Sequence, residues 1–153
     1  MLKAVFLDLD ETLCDTSGAN RRALEDMAKH LAARFVGIDS GIFCSRYLSG
    51  IYKELNHQYP QLDALLADEA SFRISLIQLL LAEQGITGAD TGLARSIQDS
   101  FDQARMSYFD FFPGIRDQLC KLRQDFCLVV ITNGPTFSQN PKVDAVNLRE
   151  SVD

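Results

Sequence analysis

Val5-Phe6-Leu7-Asp8-Leu9-Asp10-Glu11-Thr12-Leu13 begins as an apolar run and ends in two carboxylates two residues apart. The run predicts a buried strand over residues 2–7. Side chains alternate along a strand, so Asp8 and Asp10 share one face if the extended path continues past Leu7. Two carboxylates so placed can hold a hard cation such as Mg2+, and one can attack an electrophile while the other moves a proton. Two aspartates that merely cap a turn would give the same string, so the rest of the chain has to decide between chemistry and a plain turn.

A second apolar strand is predicted over residues 126–131 and ends in Thr132-Asn133-Gly134. An Asn-Gly pair after a strand is in isolation a generic turn signal. Phe112-Pro113-Gly114 precedes a helical pattern carried by Ile115, Leu119 and Leu122. Between the strands lies a long segment with helical periodicity. Ala23, Leu24, Met27, Ala28, Leu31, Ala32 and Phe35 mark one amphipathic helix, and Ile42, Phe43, Tyr47, Leu48, Ile51, Tyr52 and Leu55 mark a second. A third is expected over 68–84, with Asp68 as N-cap and Gly85 as its stop, and a fourth over 90–106. A last helical stretch is expected over 141–148. No repeat or low-complexity tract interrupts the pattern.

Composition excludes several classes. A chain of 153 residues with 46% hydrophobic content can bury one ordinary core, and a net charge of −6 disfavours nucleic acid as a partner. No apolar run approaches the roughly 20 residues of a membrane span, and no basic segment followed by an apolar stretch opens the chain, so cytoplasmic residence without a membrane is expected. Cys14, Cys44, Cys120 and Cys127 form no Cys-x-x-Cys unit, which predicts free thiols. Packing is the expected role for Cys14 and Cys127. His30 and His57 have no neighbours at metal-ligand spacing and read as surface or interhelix residues.

The ordered motifs resemble the haloacid dehalogenase-like hydrolase superfamily. Asp8, Asp10 and Thr12 match its first motif, Asp-x-Asp-x-Thr at the end of the first strand; Thr132-Asn133-Gly134 matches its second; Phe112-Pro113-Gly114 matches the re-entry into the core after a helical cap. The resemblance implies an α/β, Rossmann-like core of residues 1–16 and 111–153, with a helical cap of the first type inserted at 17–110. It further implies an Mg2+-dependent phosphatase acting on a small-molecule phosphate ester. Asp8 would be nucleophile and Asp10 acid and base, with Mg2+ held by the Asp8 carboxylate and the Asp10 main-chain carbonyl. Thr12, Thr132, Asn133 and Gly134 would bind the phosphoryl group. Arg21 and Arg22, just after the first motif, are candidate contacts to an anionic substrate. The segment from Asp15 to Arg22 is similar to N-acylneuraminate-9-phosphatase-like members, although phosphoglycolate phosphatase-like and nucleotidase-like members share the architecture. Asp10 argues against a true dehalogenase, which needs no acid for an alcohol, while a sugar phosphomutase retains both aspartates. Glu11 stands where many relatives have Gly or Asn.

The chain departs from the family after the second motif. A lysine of a third motif and acidic residues of a fourth are expected far downstream; Lys142 stands close to the second motif for the former, and Asp144 and Asp153 match the latter poorly. A doubly wound domain has about five or six parallel strands, whereas two are legible here, which would leave apolar faces and edges uncovered. These departures carry the expectation of an N-terminal portion of a longer protein, and the alternative of a truncated or degenerate hydrolase without catalysis. The oligomeric state has no sequence signal.

Overall fold

The computed structural model describes residues 3–153. Two compact units emerge: one holds the described residues up to Arg22 together with Ala104–Asp153, the other is Ala23–Gln103. Each has its own buried core.

In the first unit, strands β1 (Ala4–Leu7) and β2 (Cys127–Val130) pair in parallel, Ala4 facing Cys127 and Leu7 facing Val130. The strands lie where the apolar runs place them, with Leu2 outside the described residues. Alternation turns Val5, Leu7, Leu128 and Val130 toward a cluster that contains Leu9, Leu13, Phe109, Phe111, Leu119 and Leu148. The opposite face stays bare: Phe6 is 65% exposed, and Ile131, just past β2, is 58% exposed. That is the uncovered apolar surface expected of a parallel pair without its usual second layer of helices. Asp153 borders β2, accepting the Leu128 N–H on its carboxylate and donating its own N–H to the Leu128 carbonyl, both at 2.9 Å.

Helix α1 (Thr16–Arg34) leads out of this unit and helix α4 (Thr91–Tyr108) leads back into it. Helix α5 (Ile115–Leu122) starts after Gly114, whose φ of 82° lies in the left-handed region that glycine enters without steric cost. Helix α6 (Thr136–Ala145) corrects the expected 141–148 stretch. The Pro135 carbonyl accepts the Ser138 and Gln139 N–H groups, which sets the start early and leaves Pro141 inside the helix. The apolar spacing could not show this, because the first turn of α6 is nearly all polar.

The second unit contains most of α1, then α2 (Ser40–Ile51), a 3-10 turn (Pro60–Leu65), α3 (Glu69–Glu83) and most of α4. Asp68 caps α3 by accepting the Ser71 N–H at 3.1 Å, and Gly85 takes the left-handed conformation after its end, with φ 79°. Helix α2 ends at Ile51, short of the apolar pattern that runs to Leu55. Lys53 follows with φ 65°, its ammonium 2.8 Å from Glu69 and 3.3 Å from the Phe72 ring centre. Phe43, Tyr47, Phe72, Leu76 and Phe101 are among the fully buried side chains, and the Tyr47 and Phe101 rings meet edge to face at 5.2 Å.

Gly50 on α2 meets this core directly: a Cβ there would lie 2.5 Å from Leu76 Cδ2. Ala favours a helix over Gly by about 1 kcal/mol, whereas overpacking costs about 1–3 kcal/mol where the neighbour cannot move. Leu76 is fully buried, so Gly50→Ala is expected to lower the urea midpoint, and to raise it in a Leu76→Ala background where only the helix term remains. A midpoint that rises in both would show that Leu76 steps aside.

All four cysteines are free. Cys14 and Cys44 are buried, as packing requires, but Cys127 is exposed. Its register partner Ala4 explains the difference: both lie on the bare face of the sheet. Among the described residues, no helix is long and apolar enough to cross a membrane.

Candidate active site

The Ile131 N–H donates to the carbonyl of Leu7, the last residue of β1, at 2.9 Å, which carries the ladder one step past β2. Asp8 and Thr132 therefore leave the sheet at the same edge. Asp8 is exposed, Leu9 is fully buried, and Asp10 is half-buried. Leu9 anchors the turn: its carbonyl accepts the Leu13 N–H at 3.1 Å and the Cys14 N–H at 3.0 Å. Glu11, at φ 55°, occupies the left-handed region where Gly or Asn is less strained. Its carboxylate offsets that cost by accepting the Ser17 N–H at 2.6 Å, at the start of α1, where a negative charge is favoured. The chain returning from α4 runs alongside: Asp15 N–H donates to the Asp110 carbonyl and Phe112 N–H to the Leu13 carbonyl, at 3.1 and 2.9 Å.

Four hydrogen-bonding contacts converge on the Asp10 carboxylate. Oδ1 accepts the Thr16 hydroxyl at 2.6 Å, Oδ2 accepts the Gln139 amide at 3.1 Å, and the Lys142 ammonium lies 2.8 Å from both oxygens. Lys142 itself is 5% exposed, with Phe109 6.0 Å from its ammonium. Burial pushes the Asp10 carboxyl upward, but the bonds from Lys142, Thr16 and Gln139 outweigh it and hold the group below the usual carboxylate range. The Cys14 thiol, pushed up to about 12 by burial and by the nearby Asp10 and Asp110 charges, is no nucleophile at neutral pH.

The remaining expected residues fall as follows. Thr132 Oγ1 is buried without a hydrogen-bond partner among the described residues, an orphan that calls for a ligand or water. Asn133 is exposed and Gly134 half-buried on the loop into α6, and Thr12 is exposed on the turn after Asp10. Arg21 and Arg22 are exposed on α1; the Arg22 guanidinium lies 5.8 Å from the Tyr108 ring centre. Asp153 is engaged by Leu128 and by Arg123 at 3.2 Å, and Asp144 lies 4.0 Å from Arg149 at the surface. Thr16 and Gln139 are residues sequence reasoning missed, and Lys142, weighed there as a third-motif lysine and set aside for standing too close to the second motif, joins them on Asp10. The only available signal was that Gln139 and Lys142, three apart, share a helix face, and it is invisible until the helix is known to begin at Thr136.

Among the described residues no group of three or more His, Cys, Asp or Glu side chains gathers to hold a metal. Mg2+ keeps several waters and binds through as few as one or two carboxylates plus substrate phosphate, so the exposed Asp8 carboxylate is compatible with it and not with a metal that demands a closed protein cage.

No family model matches the chain. Among curated proteins it is similar to human N-acylneuraminate-9-phosphatase, 28% identical over 94% of this chain and 56% of that protein. The chain thus spans a little over half the length of the curated relatives it matches. Its fold matches that of the HAD-hydrolase YfnB from Bacillus subtilis, solved bound to magnesium, with TM-score 0.64, 16% identity, and coverage of 99% of this chain and 61% of the other. It also matches 2-haloacid dehalogenase from Pseudomonas syringae pv. Tomato DC3000, with TM-score 0.56, 22% identity, and coverage of 99% and 62%.

Proposed function

We propose that this chain is a member of the haloacid dehalogenase-like hydrolase superfamily and carries the nucleophile and the acid–base of a phosphomonoester hydrolase acting on a small phosphorylated metabolite. The observation that carries the reading is the shared sheet edge, from which Asp8, the gripped Asp10 and the orphaned Thr132 hydroxyl all depart.

In this reading the exposed Asp8 carboxylate attacks phosphorus, forming an aspartyl-phosphate as the P–O bond to the alcohol breaks. Asp10, in its protonated form, supplies the proton that the leaving oxygen needs, and the following step restores that form. It then takes a proton from the water that attacks the intermediate, a base role suited to a carboxylate that four hydrogen-bonding contacts keep ionised. The Thr132 hydroxyl and the Asn133 backbone donate to the phosphoryl oxygens, where charge develops. Mg2+, when bound by Asp8 and the Asp10 carbonyl, supplies neutralisation of the phosphoryl charge. Asp10 favours phosphate esters over the haloacids of the structurally similar dehalogenase, because a departing halide needs no proton. We assign substrate selection to the inserted helical segment, residues 17–110, acting as a cap.

The test is incubation with p-nitrophenyl phosphate and a panel of phosphomonoesters that includes an N-acylneuraminate 9-phosphate, followed by acid quench and intact mass. A phosphoryl group added to a peptide containing Asp8 is expected. Release of phosphate without it, or no turnover of any ester with Mg2+ present, removes the proposal and leaves a non-catalytic relative. Arg21 and Arg22 carry a narrower expectation. Their Ala variants should lower kcat/KM for a large anionic ester by about tenfold and leave p-nitrophenyl phosphate nearly unchanged, since the latter offers little beyond its phosphate for a side chain to hold. Equal losses on both substrates would assign the arginines to the phosphate site or to stability.

A further inference from the structure

Neither strand-end motif calls for the two α6 side chains that hold Asp10. We infer that Lys142 and Gln139 are positioning residues that fix the orientation of the Asp10 carboxylate, and that Gly134 lacks a side chain so that Gln139 can reach it. The inference rests on the proposed role of Asp10 and adds the parts that aim it.

Lys142 is 5% exposed, and a buried ammonium is costly unless paired. Its place is explained by Asp10, whose two oxygens it meets at 2.8 Å each. With Thr16 on Oδ1 and Gln139 on Oδ2, the carboxylate is gripped from both sides. The last torsion of an aspartate is otherwise broad, so four contacts converging from two helices supply an order that the backbone cannot impose. Rotation of the carboxylate about that bond would break all of them together.

Gly134 gives the independent observation. Its backbone is outside the left-handed region, so no turn geometry demands glycine there. A Cβ at this position would lie 1.9 Å from Gln139 Nε2, 2.7 Å from Cδ and 2.9 Å from Cγ. Gln139 is 7% exposed and its amide donates to Asp10, so yielding to that Cβ would cost it this bond. The glycine of the second motif is thus a gap through which Gln139 reaches Asp10.

Three measurements on the full chain decide the matter. Urea midpoints are compared for wild type, Gly134→Ala, Gln139→Ala and the double variant. Gly134→Ala should lower the midpoint in the wild-type background and leave it unchanged when Gln139 is Ala; an equal drop in both overturns the role given to Gly134. Side-chain 15N spectra should show one slowly exchanging lysine ammonium that disappears in Lys142→Met and exchanges rapidly in Asp10→Asn. A signal unaffected by Asp10→Asn overturns the pairing. With p-nitrophenyl phosphate, Lys142→Met should lower kcat about a hundredfold, as misplacement of a reacting group does, with KM within about twofold, and Lys142→Arg should recover at least about tenfold of the loss. A raised KM at unchanged kcat makes Lys142 a substrate-binding residue and overturns the positioning role. If wild type turns over no ester at all, the proposed activity falls, and the midpoints and spectra still decide whether Lys142 and Gln139 order Asp10.

Discussion

Asp8→Asn is expected to reduce turnover of p-nitrophenyl phosphate by about 10⁴-fold or more, the scale on which removal of an attacking group is felt. An amide fills the same volume but lacks the negative charge that attacks phosphorus. Asp8 is exposed at the strand end, so the change opens no cavity and strands no buried partner; the unfolding free energy from urea should stay within about 0.5 kcal/mol of wild type. The measurement is steady-state turnover with a denaturation curve on the same preparation. Activity within a few-fold of wild type would exclude Asp8 as nucleophile, and a large fall in midpoint would make the loss one of folding.

Removal of divalent cation is expected to have the second largest effect. A phosphate monoester approaching Asp8 brings like charges together, and two unit charges at about 4 Å repel by about 4 kcal/mol at the effective dielectric of a protein surface, about a thousandfold in rate. Lys142 cannot relieve this, because its ammonium is committed to Asp10. EDTA should therefore lower turnover about a thousandfold, and added Mg2+ should restore it. The control is Ca2+, whose looser and larger oxygen shell should restore less. Turnover undiminished by EDTA would sink the cation-assisted reading while leaving the nucleophile open to the Asp8 test.

Particular residues show what local sequence carries. The strand ending at Leu7 was legible because an apolar run before polar turn residues has few alternatives, and Asp68 and Gly85 were legible because an α3 cap and stop use short-range hydrogen bonding and backbone conformation. The start of α6 was not, because Thr136 to Pro141 offers little apolar spacing and a proline that ordinarily stands in a first turn. Cys127 was misplaced for a different reason. Strand alternation assigns it to a face without saying whether that face is covered, and here the sheet is bare beside Ala4 and Phe6.

By itself the sequence determined two parallel-capable strands, each ending in a polar motif, and a helical segment between them, because strand and helix periodicities are local properties read within one or two turns of chain. Only the tertiary structure decided what holds Asp10. Gln139 and Lys142 lie 129 and 132 residues away along the chain. Periodicity states which face of α6 they occupy, but the partner opposite that face is chosen by the pairing of β1 with β2, which brings α6 over the first motif and makes the cost of a buried ammonium bearable only where a carboxylate meets it.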